Sequence, residues 1–210
     1  MQSSSSGKIE IRNKEKRSDL ILSLLTGVLL SLAFPPLKLG FLSYIGLIPF
    51  YYLLQGKSYW QSVRWGYITG FFVNLGTLYW INWVTLPGGI AALFYLPVYF
   101  IIYSVLHTFL RQRISEKYFY FCLPFLWTGV EFFRSLGVLG FPWNSLAYTQ
   151  TYFLSLIQYA SYTSIFGVSF WIAAINVLIL LILKNSSDIK KVITYFFVLI
   201  LWFIVPWLYG

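Results

Sequence analysis

Residues 164–183 read SIFGVSFWIAAINVLILLIL, an apolar run of 20 residues without a charged side chain. An α-helix needs about 20 mostly apolar residues to cross the hydrocarbon core of a bilayer. Six further apolar stretches precede or follow this run. The seven predicted spans are 20–34, 39–54, 63–83, 90–110, 118–133, 164–183 and 192–209. The sequence therefore predicts an all-α integral membrane protein, a bundle of about seven transmembrane helices over residues 20–210.

The composition excludes an ordinary soluble domain. Of 210 residues, 59% are hydrophobic and 10% are charged, against roughly 25% charged in soluble proteins. Residues 1–19 are polar and rich in Ser and Lys, and they are predicted to form a disordered cytoplasmic tail. An alternative is a signal peptide cleaved near Ser31-Leu32-Ala33. The Pro35-Pro36 turn, followed at once by another apolar stretch, favours a retained helical hairpin.

The basic residues alternate from loop to loop. Thirteen of the fifteen lysines and arginines flank one set of span ends, and only Lys38 and Arg134 flank the other. Short basic loops stay in the cytoplasm, so the N-terminus is predicted to be cytoplasmic and the C-terminus periplasmic or external. The net charge of +9 is explained by this topology and by contact with anionic lipid headgroups. No nucleic-acid partner is predicted.

Polar residues inside the spans are candidate functional groups, because burying them in a membrane is costly. Glu131 and Arg134 lie three residues apart on one helical face and can pair. The pair either neutralises itself or forms a charged rim that holds a headgroup or a partner domain. Asn74, Asn82 and Asn176 are predicted to form hydrogen bonds between helices.

The segment 137–150, GVLGFPWNSLAYTQ, lacks helical periodicity and follows the charged pair directly. Irregular backbone at membrane depth is tolerated where it is buried in protein or lines a cavity. The segment is therefore either an interfacial loop with an aromatic belt or the lining of a cavity open to the outer leaflet. The predicted lipid-binding or substrate-binding residues are Glu131, Arg134, Phe141, Pro142, Trp143, Tyr148 and Gln150.

The chain offers little for catalysis. It has one His, one Cys and six carboxylates, from which neither a Ser-His-Asp triad nor a metal cluster can be assembled convincingly. Cys122 lies in an aromatic, apolar run and is interpreted as a packing residue. No catalytic residue, metal ligand or cofactor is predicted.

Four segments in order resemble the membrane domain of bacterial apolipoprotein N-acyltransferases. They are LSLAFPPLKLGFLSYIGLIPF (30–50), GYITGFFVNLGTLYWINWV (66–84), EFFRSLGVLGFPWNSLAYTQ (131–150) and FGVSFW (166–171). Phe132 departs from the family pattern, which usually has a Trp after the Glu. The resemblance runs from about residue 20 to residue 210.

The resemblance implies a multi-pass protein of the bacterial cytoplasmic (inner) membrane. Such enzymes transfer an acyl chain from a phospholipid to the lipid-bearing N-terminal cysteine of an apolipoprotein, through a cysteine thioester formed in a nitrilase-like domain. In the family that domain follows the seventh span. None of its catalytic residues can be placed on this sequence, so the chain is expected to be inactive alone. Three origins of the chain are consistent with this resemblance: a truncated or frameshifted product, a cut fragment, or one half of a split enzyme whose nitrilase-like domain is encoded separately.

Two other classes of protein remain open at this point. One is a small transporter or lipid-binding scaffold that shares the membrane platform. The other is a structural partner of other membrane proteins. Paired broken helices and ionisable residues at the midplane would favour transport, and neither is recognisable in the sequence.

The topology can be tested by labelling a single cysteine. In a Cys122→Ser background, a cysteine at Ser58 is expected to be protected from an impermeant thiol reagent in intact cells, because its loop is basic and therefore cytoplasmic. It should react after the membrane is permeabilised. Labelling of Ser58→Cys from outside intact cells would contradict the predicted orientation.

Overall fold

The computed structural model describes the backbone of residues 2–210 and the side chains of residues 15–210. Over residues 2–210 the chain is helical and contains no strand, which confirms the all-α prediction. Its α-helices are α1 (Gln2–Ala33), α2 (Ser43–Gly46), α3 (Ile48–Leu54), α4 (Tyr59–Thr77), α5 (Leu86–Tyr95), α6 (Pro97–Arg113), α7 (Glu116–Arg134), α8 (Ala160–Lys184) and α9 (Ile189–Tyr209). Short 3-10 helices lie at Gly40–Leu42, Tyr79–Trp83, Pro142–Asn144, Leu146–Gln150 and Leu154–Leu156.

Three predicted spans are broken rather than continuous. The stretch 39–54 consists of a 3-10 turn, α2 and α3, and α3 has Pro49 in its first turn. The stretch 63–83 is helical to Thr77 and then tightens into a 3-10 helix. The stretch 90–110 divides between α5 and α6 at Pro97. A proline begins a helix readily but cannot donate the backbone hydrogen bond that would continue one.

The first helix extends through the predicted disordered tail. It begins at Gln2 and runs without interruption into the first apolar stretch. Residues 8–17 contain Lys, Glu and Arg, which have high helix propensity, and extending an existing helix costs less than starting one. Residues 2–19 belong to this helix, and the disordered cytoplasmic tail over residues 1–19 stays a prediction. The side chains of residues 1–14 lie outside the described residues, so the boundary at residue 19 stays a prediction.

Three helical segments are long and apolar enough to cross a membrane: Leu86–Arg113, Ala160–Lys184 and Ile189–Tyr209. Gly40–Leu54 is a shorter apolar segment. Both ends of helix α7 contain charged residues, Glu116 and Lys117 at one end and Glu131 and Arg134 at the other. The three helices support a membrane protein, and the seven-span topology stays a prediction.

Glycines allow α4 to lie directly against α6. A Cβ on Gly66 would lie 2.8 Å from the Phe100 carbonyl oxygen and 2.5 Å from Ser104 Oγ. One turn later, a Cβ on Gly70 would lie 2.9 Å from the Phe100 ring. Small residues four apart are a common means of close helix approach in membranes, where packing rather than the hydrophobic effect holds helices together.

The connecting segments collect at two ends of the bundle. At one end, Lys57 pairs with Asp19 at 2.7 Å, and Lys184 donates a hydrogen bond to Glu116. We call this the basic end. At the opposite end, the Tyr152 hydroxyl donates to the Pro36 carbonyl at 3.3 Å. This opposite end contains the long connection between α7 and α8.

The close approach of α4 and α6 predicts a contrast between two glycines. Gly66→Ala is expected to lower stability by about 1–3 kcal/mol, because its Cβ would overlap backbone that cannot move freely. Gly129→Ala in α7 meets nothing within 4 Å and should be neutral or stabilising, since alanine favours helix over glycine by about 1 kcal/mol. Thermal unfolding midpoints in detergent would measure both. A rise in both midpoints would show that α4 and α6 do not pack this closely.

Candidate functional site

The loop between α7 and α8, residues 135–159, contains the irregular segment singled out by sequence. Gly137 turns the chain at the end of α7 with φ of 77°, a conformation that favours glycine. The Phe141 N–H then donates to the Arg134 carbonyl at 2.8 Å, which folds the loop back onto its own helix. Two short 3-10 helices follow and place residues 144–150 inside the bundle.

Glu131 and Arg134 are buried, being 2% and 5% exposed, and each holds the loop. One carboxylate oxygen, Glu131 Oε1, accepts hydrogen bonds from Trp127 Nε1 at 2.8 Å and from the Leu146 N–H at 2.9 Å. Arg134 Nη2 donates to Ser145 Oγ at 3.2 Å. The two charges therefore meet consecutive residues of the loop.

The expected direct pairing of these two charges is not observed. Among the described side chains, no ion pair joins Glu131 to Arg134. Glu131 Oε2 and Arg134 Nε are both buried without a hydrogen-bond partner. The i, i+3 spacing places the side chains on one helical face, as predicted, but their hydrogen bonds are directed to the loop that packs over that face. A sequence pattern along one helix contains no signal for such a loop.

Gln150 anchors the other end of the buried segment. Its Nε2 donates to the Gly40 carbonyl at 3.1 Å and to Ser43 Oγ at 3.0 Å, and its Oε1 accepts from the Tyr44 hydroxyl at 2.6 Å. A Cβ on Gly40 would lie 2.0 Å from the Thr149 carbonyl oxygen. Only glycine therefore permits this approach between the loop and the 3-10 turn before α2.

Two further hydrogen bonds join the loop to long helices. Asn144 Nδ2 donates to Asn74 Oδ1 of α4 at 2.8 Å, and the Ala147 N–H donates to Ser169 Oγ of α8 at 3.1 Å. The loop is thus held by α4, α7, α8 and the segment before α2. Residues 144–150 of the loop are therefore a structured part of the bundle interior.

The predicted roles of the three asparagines have different outcomes. Asn74 bonds to the loop, and Asn176 Oδ1 accepts from the Leu47 N–H at 2.9 Å while its Nδ2 donates to the Ser43 carbonyl at 2.7 Å. The hydrogen bonds of Asn74 and of Asn176 therefore join different structural elements, as predicted. Asn82 instead packs its side chain against Gly89, and no side-chain bond from it to another helix is present among the described residues.

Ser43, Tyr44, Ser145 and Ser169 complete the polar cluster, and sequence reasoning missed all four. Serine and tyrosine are frequent in this chain, both in helices and in connections. Single occurrences therefore have no distinguishing signal. The FGVSFW segment contains Ser169, but its apolar neighbours gave no reason to assign the serine a role.

The outer surface of the loop is apolar. Trp143 is 56% exposed, and Leu136, Val138 and Leu139 are also exposed. The Phe141 and Trp143 rings meet edge to face with centroids 5.2 Å apart. Of the remaining predicted site residues, Pro142 and Tyr148 are half-buried, as is Phe141. The predicted set is thus divided into buried anchors (Glu131, Arg134, Gln150) and an aromatic surface around Trp143.

The described residues contain no cluster of three His, Cys, Asp or Glu side chains able to hold a metal ion. Cys122 is a free thiol, half-buried within α7. The arrangement places an apolar surface beside a polar interior. Trp and Tyr suit such a boundary, because their rings are apolar and each also has a hydrogen-bonding group.

An all-helical chain with several bilayer-length helices and a polar loop buried between them defines an integral membrane protein. Its sequence matches the model of the apolipoprotein N-acyltransferase N-terminal domain over residues 26–178. The chain belongs to the apolipoprotein N-acyltransferase family.

Three relatives show the extent of the similarity. The apolipoprotein N-acyltransferase of Geobacter metallireducens is 35% identical over 81% of this chain and 34% of the relative. That of Chlorobaculum tepidum is 28% identical over 90% of this chain and 36% of the relative. That of Rickettsia prowazekii is 32% identical over 74% of this chain and 33% of the relative. The chain therefore spans about one third of the length of these relatives.

The loop contacts predict a large difference between two glutamates of α7. Glu131→Ala would leave the Leu146 N–H and the Trp127 N–H without an acceptor and Arg134 without its nearby counter-charge. We expect a loss of about 2–5 kcal/mol. Glu116→Ala, at a side chain 53% exposed, should cost less than about 1 kcal/mol.

Denaturant titration in bicelles would compare the two variants. The result that contradicts the site is an equal, small effect of both changes. A further check is Glu131→Gln, whose amide oxygen can still accept from Leu146 and Trp127. It should retain part of the stability lost in Glu131→Ala.

Proposed function

We propose that this chain is the membrane-embedded platform of an apolipoprotein N-acyltransferase, which positions phospholipid acyl chains for transfer to the lipid-bearing N-terminal cysteine of an apolipoprotein. The observation that carries the proposal is the family match over residues 26–178, which includes the whole irregular segment 137–150. The relatives are named apolipoprotein N-acyltransferases. The phospholipid donor and the apolipoprotein acceptor belong to the proposal for this chain.

The proposed setting is the bacterial cytoplasmic membrane, crossed seven times with the N-terminus in the cytoplasm. The basic asymmetry of the loops supports this topology. The collection of the connections at two ends of the bundle is also what seven antiparallel crossings require. Under this topology, the α7–α8 loop lies at the external face and the basic end lies in the cytoplasm.

In this proposal the aromatic surface of the α7–α8 loop is the external mouth through which acyl chains reach the reaction site. Polar groups of residues 144–150 turn inward and apolar side chains around Trp143 turn outward. An acyl chain needs an apolar surface that it can reach sideways from the lipid, and Phe141, Pro142, Trp143 and Tyr148 supply one. Glu131, Arg134 and Gln150 act as positioning residues, because they hold the loop and are themselves buried.

The chemical step is proposed to lie outside these 210 residues. In the resemblance described above, the cysteine thioester forms in a nitrilase-like domain, and this chain matches about one third of its relatives. Cys122 is a poor candidate nucleophile, since a nucleophilic cysteine needs a neighbouring base or cation to supply thiolate. A nitrilase-like partner domain would sit over the external face beside Trp143.

The proposal is tested in a full-length relative changed at the position equivalent to Trp143. Trp143→Ala should lower the rate of acyl transfer and raise the phospholipid concentration needed for half-maximal rate, because the ring supplies binding surface for the acyl chain. Stability should change little, since the ring is more than half exposed. Rates would be followed with a labelled phospholipid donor.

The matched control is the equivalent of Trp83→Ala. Trp83 is also exposed and also lies near the proposed external face, so it reports the loss of a general interfacial anchor. Normal acyl transfer and normal phospholipid dependence in the Trp143 variant would make the loop only an anchor. The 210-residue chain expressed alone should give no acyl transfer, and activity from it would overturn the placement of the chemistry elsewhere.

A further inference from the structure

A second lipid-facing feature lies far from the aromatic loop. A groove of about 830 Å³ runs along α8 between α7 and α9, starting at the basic end. Its volume falls in the range of ligand-holding pockets, roughly 300–1,000 Å³. The groove lining extends along α8 from Phe170 to Asn185, the residue that follows the helix, about 22 Å at 1.5 Å per residue. This length covers the hydrocarbon part of one leaflet, about half of a core roughly 30 Å thick.

The walls of the groove are apolar and rigidly held. Phe125 of α7 meets Phe170 of α8 edge to face, with ring centroids 4.7 Å apart. Trp171 Nε1 of α8 donates to the Trp202 carbonyl of α9 at 2.6 Å, and Trp202 Nε1 donates back to the Trp171 carbonyl at 3.3 Å. These reciprocal bonds fix α9 against α8. Pro206 is the one fully buried residue of α9, so the groove can be entered sideways.

The end of the groove has unbalanced positive charge. Lys117, Lys184 and Lys191 lie there with two carboxylates, and each carboxylate already has a lysine partner. Lys184 bonds to Glu116 and to the Tyr120 hydroxyl, and Lys191 pairs with Asp188 at 3.2 Å. Among the described side chains Lys117 has no ion-pair partner. An anion at this end can therefore pair with Lys117 without displacing a described carboxylate.

The carboxylates remain charged and occupied at neutral pH. A hydrogen bond from Lys184 lowers the pKa of the Glu116 carboxyl. Burial alone would lower the pKa of Lys184, but the bonds to Glu116 and Tyr120 outweigh it and raise that pKa. Protonation of the Glu116 carboxylate would therefore require a pH well below neutral. The excess charge belongs to Lys117.

We propose that this groove binds an anionic phospholipid, with an acyl chain along α8 and the phosphate at Lys117. An amphipathic ligand is required because the groove is apolar along its length and basic at one end. Lys191, Tyr118 and Tyr195 also line the groove and complete the proposed headgroup site. The ligand enters from the surrounding leaflet.

This site is separate from the proposed external mouth. Glu116 at the groove and Glu131 at the loop are 15 residues apart on α7, about 22 Å along the helix axis. Its ligand is held at the opposite membrane face from the proposed donor. The inference rests on the chain being embedded in a membrane, but it does not require acyl transfer.

Photocrosslinking of the full chain tests the site. The protein is placed in nanodiscs of equal parts phosphatidylcholine and phosphatidylglycerol, with a trace of either lipid carrying a diazirine in its acyl chain. After irradiation, labelled peptides are mapped by mass spectrometry. Phosphatidylglycerol should label the groove residues Phe125, Leu178 and Val198 more strongly than phosphatidylcholine does.

Three variants sharpen the result. Lys117→Gln should reduce groove labelling by phosphatidylglycerol about fivefold, as expected for one basic residue at an anionic membrane surface. Arg64→Gln removes a charge at the same end but outside the groove, and it should have no effect. Ala174→Leu places a larger side chain on the groove floor and should reduce labelling of the groove by both lipids while the outer face of α9 stays labelled.

Two outcomes would overturn the proposal. Equal labelling by the two lipids, unchanged in Lys117→Gln, would mean that the groove holds bulk lipid without selection. Labelling of the outer face of α9 without any in the groove would mean that polypeptide covers it. Both results are independent of acyl transfer. The proposed function is therefore tested separately, by the experiment on the Trp143 variant.

Discussion

The need to satisfy buried backbone groups determines this structure more than any other interaction. A bundle that faces lipid has no water to hydrogen-bond irregular backbone, so each exposed N–H needs a partner within the protein. Here side chains of neighbouring elements supply these partners. Glu131 accepts from Leu146, Ser169 accepts from Ala147 and Asn176 accepts from Leu47. At the break between α2 and α3, Asn176 of the packed helix α8 supplies such an acceptor.

The same constraint shapes the proposed external mouth. Because the backbone and polar side chains of residues 144–150 bond inward, the apolar side chains around Trp143 remain on the outside. A loop at a water interface would show the reverse distribution, with polar groups outward. The inversion makes the loop a suitable neighbour for acyl chains. Two roles are therefore close together in the sequence. Buried residues hold the loop in place, and exposed residues form its outer surface.

Part of the candidate site could be read from the sequence and part could not. Asn74 and Asn176 stand out because an amide in an apolar helix needs a partner, and both have one. The segment 137–150 stands out because it lacks periodicity. The bonding of Glu131 and Arg134 could not be predicted, because the i, i+3 rule considers one helix and the partners come from a loop that returns over it. The groove along α8 gives no sequence signal, since its lining comes from three helices.

The sequence by itself determined the all-helical class, the apolar stretches, the family and the location of the irregular loop. Periodicity, composition and charge distribution are properties of neighbouring residues, and neighbouring residues suffice to determine them. Tertiary structure alone decided which polar groups meet and which face of the loop is exposed. These features depend on contacts such as Gln150 with Gly40, 110 residues apart. Such contacts exist only after packing brings distant segments within hydrogen-bond distance.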